Sequence, residues 1–254
     1  MKKLLFIWFV IPFVATAQKD SVLSGIYKWK EPKVSKQIKV SSTVLLEGKV
    51  HDFKWLQVSA NSLSPSPAQL KHNVPKNQEH LIIIKTGRLQ IGFSDSAFAL
   101  EPGSVAMLIP GEKVLLSCTQ ATSFYILKYR SKAPKDLKRA KENGGSFVKF
   151  WNGIPFKPNN NGGGRRDFFE QGTAMSKRFE MHVTTLKEGV RSHDPHTHRT
   201  EEIVLMIEGN TEMQIGQTFV KGTNGDLYYL GSNVLHAIRN IDTKPCMYFA
   251  FQFE

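Results

Sequence analysis

His196 and His198 stand two positions apart in the stretch His193-Asp194-Pro195-His196-Thr197-His198-Arg199-Thr200-Glu201-Glu202. On an extended backbone such a pair shares one face with Cα atoms roughly 7 Å apart, close enough for two imidazoles to converge on one cation. Glu202 has the same parity, but on a straight strand it would lie about 20 Å from His196. The chain must therefore turn near Arg199 and Thr200 for the carboxylate to join the histidines. The polar run there, followed at once by the apolar stretch Ile203 to Ile207, allows that turn. A second block, Gly225 to Asn240, brings His236 at the start of another alternating stretch, just after a turn signal at Gly231 to Asn233.

The elements that hold these residues repeat. Leu81-Ile82-Ile83-Ile84-Lys85-Thr86-Gly87 matches Ile203-Val204-Leu205-Met206-Ile207-Glu208-Gly209, and Leu89-Gln90-Ile91-Gly92 matches Met213-Gln214-Ile215-Gly216. Gly87 and Gly209 are 122 positions apart, Gly92 and Gly216 124, and Gly103 and Gly225 122. A near-constant offset over three landmarks argues for internal duplication. Between the landmarks lie short runs rich in Val, Ile, Phe and Tyr, bounded by Gly, Pro, Asn and Asp, as in an antiparallel sandwich or barrel. Helical periodicity is confined to Pro134 to Glu142, where a short linker helix is expected. The turn-rich stretch Asn159 to Gly164 is read as an inter-domain loop, with a loop draped over a pocket mouth as the functional alternative.

The two histidine blocks resemble the paired motifs of the cupin superfamily. Gly189, His196, His198, Glu202 and Gly209 fill the first motif, G-x5-6-H-x-H-x3-4-E-x6-G. Gly225, His236 and Asn240 match the second, G-x5-P-x-G-x2-H-x3-N, with Gly231 in place of its Pro and Asn233 in place of its Gly. Both replacements suit a turn, since Asn tolerates positive φ nearly as Gly does. The resemblance implies an all-β protein of two tandem double-stranded β-helix (jelly-roll) barrels. It makes His196, His198, Glu202 and His236 the ligands of one divalent transition metal, with Mn, Fe, Co, Ni, Cu and Zn all compatible with the donor set. Four protein ligands leave positions open for water or substrate, which favours chemistry over a structural site. At the same offset the first copy offers Val74, Lys76, His80 and Val114 or Leu115, so that half is read as a barrel lacking metal ligands. The expected divisions are a signal peptide at 1–17, the first barrel at 18–133, a linker and inter-domain loop at 134–170, and the metal-binding barrel at 171–254.

Residues 1–17 carry the marks of a secretory signal: Lys2 and Lys3, the apolar run Leu4 to Val14, and the A-x-A site Ala15-Thr16-Ala17. The mature protein is therefore expected to be exported, periplasmic or secreted, with no stable membrane insertion. The charge is uneven: residues 18–143 carry 20 Lys/Arg against 10 Asp/Glu, while residues 144–254 carry 12 of each. The basic run Lys128 to Lys141 reads as a solvated connector or short helix, solubilising rather than partner-binding. An exported chain without a nucleic-acid motif is not expected to bind nucleic acid. Cys118 and Cys246 lie in apolar stretches of different halves. Export permits a disulfide between them, and two buried thiols fit equally well.

For the reaction, Arg178 to Thr184 alternates so that Glu180 and His182 share a face. If the odd residues pack against the other barrel, these two enter the pocket and can serve as acid and base beside the metal. Arg178, Arg191 or Arg199 could pair with a substrate carboxylate, and Tyr229, Tyr248 and Gln252 are further candidates for contacts around the site. The expectation is a metal-dependent enzyme acting on a small polar, carbohydrate-derived or carboxylate substrate by proton transfer, of the isomerase or lyase type. A quercetinase-like dioxygenase and a non-catalytic binding bicupin are the rivals, because one fold hosts many reactions. Monomer and homodimer both fit a duplicated chain.

Overall fold

Strands dominate because the apolar residues recur every second position and glycine or proline punctuates them. The protein is described by a computed structural model covering residues 21–33, 40–66 and 68–254; the signal segment 1–17 lies outside the described residues. Twenty strands, one α-helix and one 3-10 turn make up the described chain.

The first half forms a six-stranded sheet, in the order Phe147–Lys149, Val105–Leu108, Glu79–Thr86, Thr122–Ser131, Phe53–Leu63 and Val40–Gly48. A four-stranded sheet of Leu70–Asn73, Lys113–Ser117, Leu89–Gly92 and Ala97–Leu100 accompanies it. The second half repeats the plan. Its seven-stranded sheet runs Gly25–Tyr27, Leu227–Leu230, Glu201–Glu208, Cys246–Phe253, Phe179–Leu186, Gly164–Gln171, Lys157–Pro158, facing a three-stranded sheet of Thr218–Gly222, Thr211–Ile215 and His236–Asn240. All the strand pairs within these sheets are antiparallel, so the chain is all-β and barrel-like as the sequence implies.

Each long strand serves two cores, because side chains alternate across the pleat. Ile82, Ile84 and Ile126 fill the first barrel, and Val204, Met206, Tyr248 and Ala250 the second. Their neighbours of opposite parity, Leu81, Ile83, Leu127, Ile203, Leu205, Phe249 and Phe251, meet between the two large sheets in one continuous apolar layer. Phe53 stacks there between Tyr129 and Phe253, with ring centroids 4.6 Å from each.

Several segments cross the divisions drawn from the sequence. Gly25–Tyr27 leaves the first half to pair with Leu227–Leu230, while Phe147–Lys149 pairs back onto Val105–Leu108. Gly164–Gln171, placed in the linker by its glycines, is a full strand of the second sheet paired with Phe179–Leu186. Lys128 and Arg130, read as connector, lie in the strand Thr122–Ser131, where the Arg130 guanidinium rests 4.6 Å over the Trp55 ring. The linker helix is Leu137–Glu142, capped by Asp136 accepting from the Arg139 amide at 2.9 Å. Cys118 belongs to the first barrel's interior and Cys246 to the second's, and both are free thiols.

Two carboxylates tie the halves together reciprocally. Glu79, fully buried, accepts from Thr173 Oγ1 at 2.6 Å, the Ala174 amide at 2.8 Å and the Met175 amide at 3.0 Å. Glu201, which lies 122 positions later, accepts from the amides of His51 at 2.6 Å and Asp52 at 2.9 Å and from the Tyr229 hydroxyl.

Candidate metal centre

The first motif folds as its spacing demands. His196 pairs with His236 as an isolated antiparallel bridge, each amide donating to the other's carbonyl at 3.2 and 3.0 Å. The chain then bends at Arg199 and Thr200, and the strand Glu201–Glu208 returns Glu202 to the histidines. On the second motif, Asn233 adopts φ 59°, a left-handed conformation whose cost is small for Asn. Its amide donates to the His198 carbonyl at 2.8 Å, so the turn that launches His236 also holds the first motif.

The rings of His196, His198 and His236 each present a nitrogen within 4.8 Å of the others. His198 Nδ1 lies 2.7 Å from the Thr200 carbonyl and His236 Nδ1 2.8 Å from the Val234 carbonyl. A carbonyl only accepts, so both Nδ1 atoms carry a hydrogen, and once deprotonated at Nε2 both rings would offer that nitrogen to a metal. Glu202 Oε2 stands 3.1 Å from His198 Nε2, 3.6 Å from His236 Nε2, and accepts from Gln252 Nε2 at 3.2 Å. Burial alone would raise the Glu202 carboxyl, but His198 and His236 outweigh it and hold the group well below the ordinary range. The same contact raises His198, while burial and the neighbouring imidazoles lower His196.

These residues fit a metal. His196 Nδ1 and His236 Nε2 are shielded from solvent with no hydrogen-bond partner. Two orphaned imidazole nitrogens beside a buried carboxylate are a costly arrangement that one cation would satisfy.

The cluster opens on a cavity of about 510 Å³ inside the second barrel. Because Phe179, Met181 and Val183 pack in the inter-sheet layer, Glu180 and His182 point the other way and line this cavity. Glu180, Gln252 and Glu202 form one cross-strand row. Two strand spacings, roughly 10 Å, separate the outer members of that row, leaving room for a small molecule between them. His182 Nδ1 lies 3.2 Å from Glu180 Oε1, and Arg165 Nη2 donates to the same oxygen at 2.6 Å. Arg178 Nη2 donates to Glu180 Oε2. His182 and then Arg165 draw the Glu180 carboxyl down to about 2 against burial.

Other candidates land elsewhere. Tyr248 and Gln252 line the cavity, but Tyr229 faces the inter-sheet layer and bonds Glu201, since its parity is opposite to that of Tyr228. None of the three arginines proposed for substrate lines the cavity. Arg178 is taken by Glu170 and Glu180, Arg191 lies 3.9 Å from Asp194, and Arg199 pairs with Asp52 and Glu254. Asn159 and Gly164 line the cavity, in keeping with the alternative of a loop draped over a pocket mouth, whereas Arg165 and Lys157, which also line it, were not among the expected site residues. His193 sits at the rim, its ring 4.1 Å from that of His196. In the first barrel the matching space is filled by Val74, Ile82, Leu108 and Val114, and His72 and His80 bond each other at 2.9 Å.

Residues 182–251 match the family model described as a cupin domain. No curated protein matches the chain. Among solved structures it is similar to AerE from Microcystis aeruginosa, with a TM-score of 0.64 at 14% identity over 88% of this chain and 97% of that one. Protein Ylba from E. coli gives 0.68 at 14% identity over 94% and 95%. A mutant of the Bacillus subtilis oxalate decarboxylase OxdC gives 0.63 at 13% identity over 93% and 79%. At these identities the likeness carries the fold alone.

Proposed function

We propose that the second barrel, whose residues 182–251 match a cupin domain, is a metal-dependent active site performing proton transfer on a small carboxylate or carbohydrate-derived substrate. The carrying observation is one cavity with two chemically distinct walls: three imidazoles and Glu202 on one side, His182 and Glu180 on the other. A divalent transition metal held by His196, His198, Glu202 and His236 would chelate substrate oxygens and stabilise the negative charge that develops when a proton leaves carbon.

The chain's own residues divide the remaining work. Glu180, kept a carboxylate by two guanidiniums and His182, is a poor proton donor at neutral pH, so the acid and base duties expected of the pair fall to His182. Glu180 Oε1 stands 3.2 Å from His182 Nδ1 without a hydrogen bond, so the carboxylate places a negative charge beside the imidazole that exchanges a proton with substrate. Arg165 spends one donor on Asp167 and one on Glu180, and a guanidinium has five, so it can still receive a substrate carboxylate at the cavity wall, with Lys157 adding charge. Proton transfer needs no redox partner, which suits the exported protein that the signal segment implies.

The test is solvent deuterium incorporation, followed by NMR, into a panel of small hydroxy acids, keto acids and uronates with the metal-loaded protein. Exchange that disappears in His182→Asn and after chelation supports the reading. Oxygen consumption in place of exchange identifies a dioxygenase, and binding without either identifies a non-catalytic cupin.

A further inference from the structure

A second cavity, of about 260 Å³, lies between the two barrels, away from the metal cluster. Its walls come from both halves and repeat the duplication: Ile83 and Leu205, Lys85 and Ile207, and Pro102 and Asn224 each differ by 122 positions. The cavity thus sits where the two copies meet across their approximate two-fold relation. Trp151 and Phe249, with ring centroids 6.4 Å apart, add aromatic surface.

One break in the equivalence is chemical. Where the second copy has Ile207 the first has Lys85, half-buried, with its ammonium 4.9 Å from the centroid of the Trp29 ring. No described carboxylate comes within 4.0 Å of it, and Glu31 acts on it only from a greater distance. Burial lowers its pKa from the ordinary lysine value, partly opposed by the Glu31 charge. The one wall hydroxyl that is deeply buried, on Tyr125, is already committed to the Gly225 carbonyl at 2.9 Å.

We infer that the inter-barrel cavity is a binding site for a small amphipathic carboxylate, its apolar body between Ile83, Leu205 and Trp151 and its anionic head on Lys85. The volume is below the ~300–1,000 Å³ usual for drug-sized ligands, so the occupant is a single-ring or short-chain acid. This inference stands independently of the metal reading, because it uses none of those residues.

The probes are 4-phenylbutyrate and its uncharged counterpart 4-phenylbutan-1-ol, titrated by calorimetry against the whole mature protein. Saturable 1:1 binding of the acid is expected, weakened about tenfold in Lys85→Met while the alcohol is unaffected within about twofold. Ile207→Trp, which fills the cavity, should abolish both; Lys85→Met carries the test alone if that variant does not fold. The acid must bind His196→Ala equally well. Loss of binding in His196→Ala would place the acid in the metal cavity and overturn the proposal. So would an unchanged affinity in Lys85→Met, or no saturable binding to the natural protein.

Discussion

At the scale of single residues, the division of labour between Glu180 and His182 follows from who their neighbours are. A carboxylate bonded by Arg165 and Arg178 keeps its charge, so it positions rather than donates. His182→Asn should lower turnover by about 10²–10⁴-fold with metal content unchanged, as expected for loss of a general acid–base group. Glu180→Gln should lower turnover with metal content unchanged, because Arg165 and Arg178 lose the charged acceptor that holds them beside the cavity. The lowered carboxyl also makes a stability prediction. A group whose folded pKa lies below its unfolded value contributes stability above the unfolded value, and that contribution is lost as pH falls through the folded one. For Glu180 the window runs from about 4.5 down to about 2. Thermal unfolding measured across it should fall less steeply in Glu180→Gln than in the natural chain; parallel curves would remove the pairing described here. The ligand-type residues were legible because motif spacing fixes which side chains share a face. Arg165 was not, since its position depends on Gly164 lying against Phe156 and Lys157, where an added Cβ would meet their atoms at 2.3 and 2.6 Å.

At the scale of elements, strand parity does most of the positioning. The alternation in Phe179–Leu186 stated which residues share a face, but not which face the barrel encloses; that is decided by the second large sheet covering Phe179, Met181 and Val183. Equally invisible were the reciprocal carboxylates Glu79 and Glu201, because each satisfies backbone amides on a loop far away in sequence. Removing Glu201 takes the acceptor from the buried Tyr229 hydroxyl and from the part-buried amides of His51 and Asp52, at about 1–3 kcal/mol for a buried group and less for the amides. Glu201→Ala should therefore lower unfolding free energy in urea by about 2–5 kcal/mol and speed amide exchange at His51 and Asp52. A change below about 0.5 kcal/mol would show that water replaces the carboxylate freely.

At the scale of the whole molecule, the duplication was plain from the 122-residue offset, but the exchange of strands between halves was not. Gly25–Tyr27 is three residues long and completes a sheet whose other strands begin beyond residue 150, a pairing that no local pattern encodes. The apolar layer shared by both sheets and the crossed strands predict a single cooperative unfolding transition. Tryptophan fluorescence, reporting from Trp29, Trp55 and Trp151, should coincide with far-UV circular dichroism across a urea titration. Two separated transitions would mean that the halves fold independently.

The central claim is that the second barrel holds one metal. Elemental analysis of the purified protein, beside a His196→Ala, His236→Ala double variant, tests it most directly. About one equivalent of divalent transition metal per chain is expected, absent from the variant. Metal missing from both after reconstitution, or retained by the variant, would contradict it.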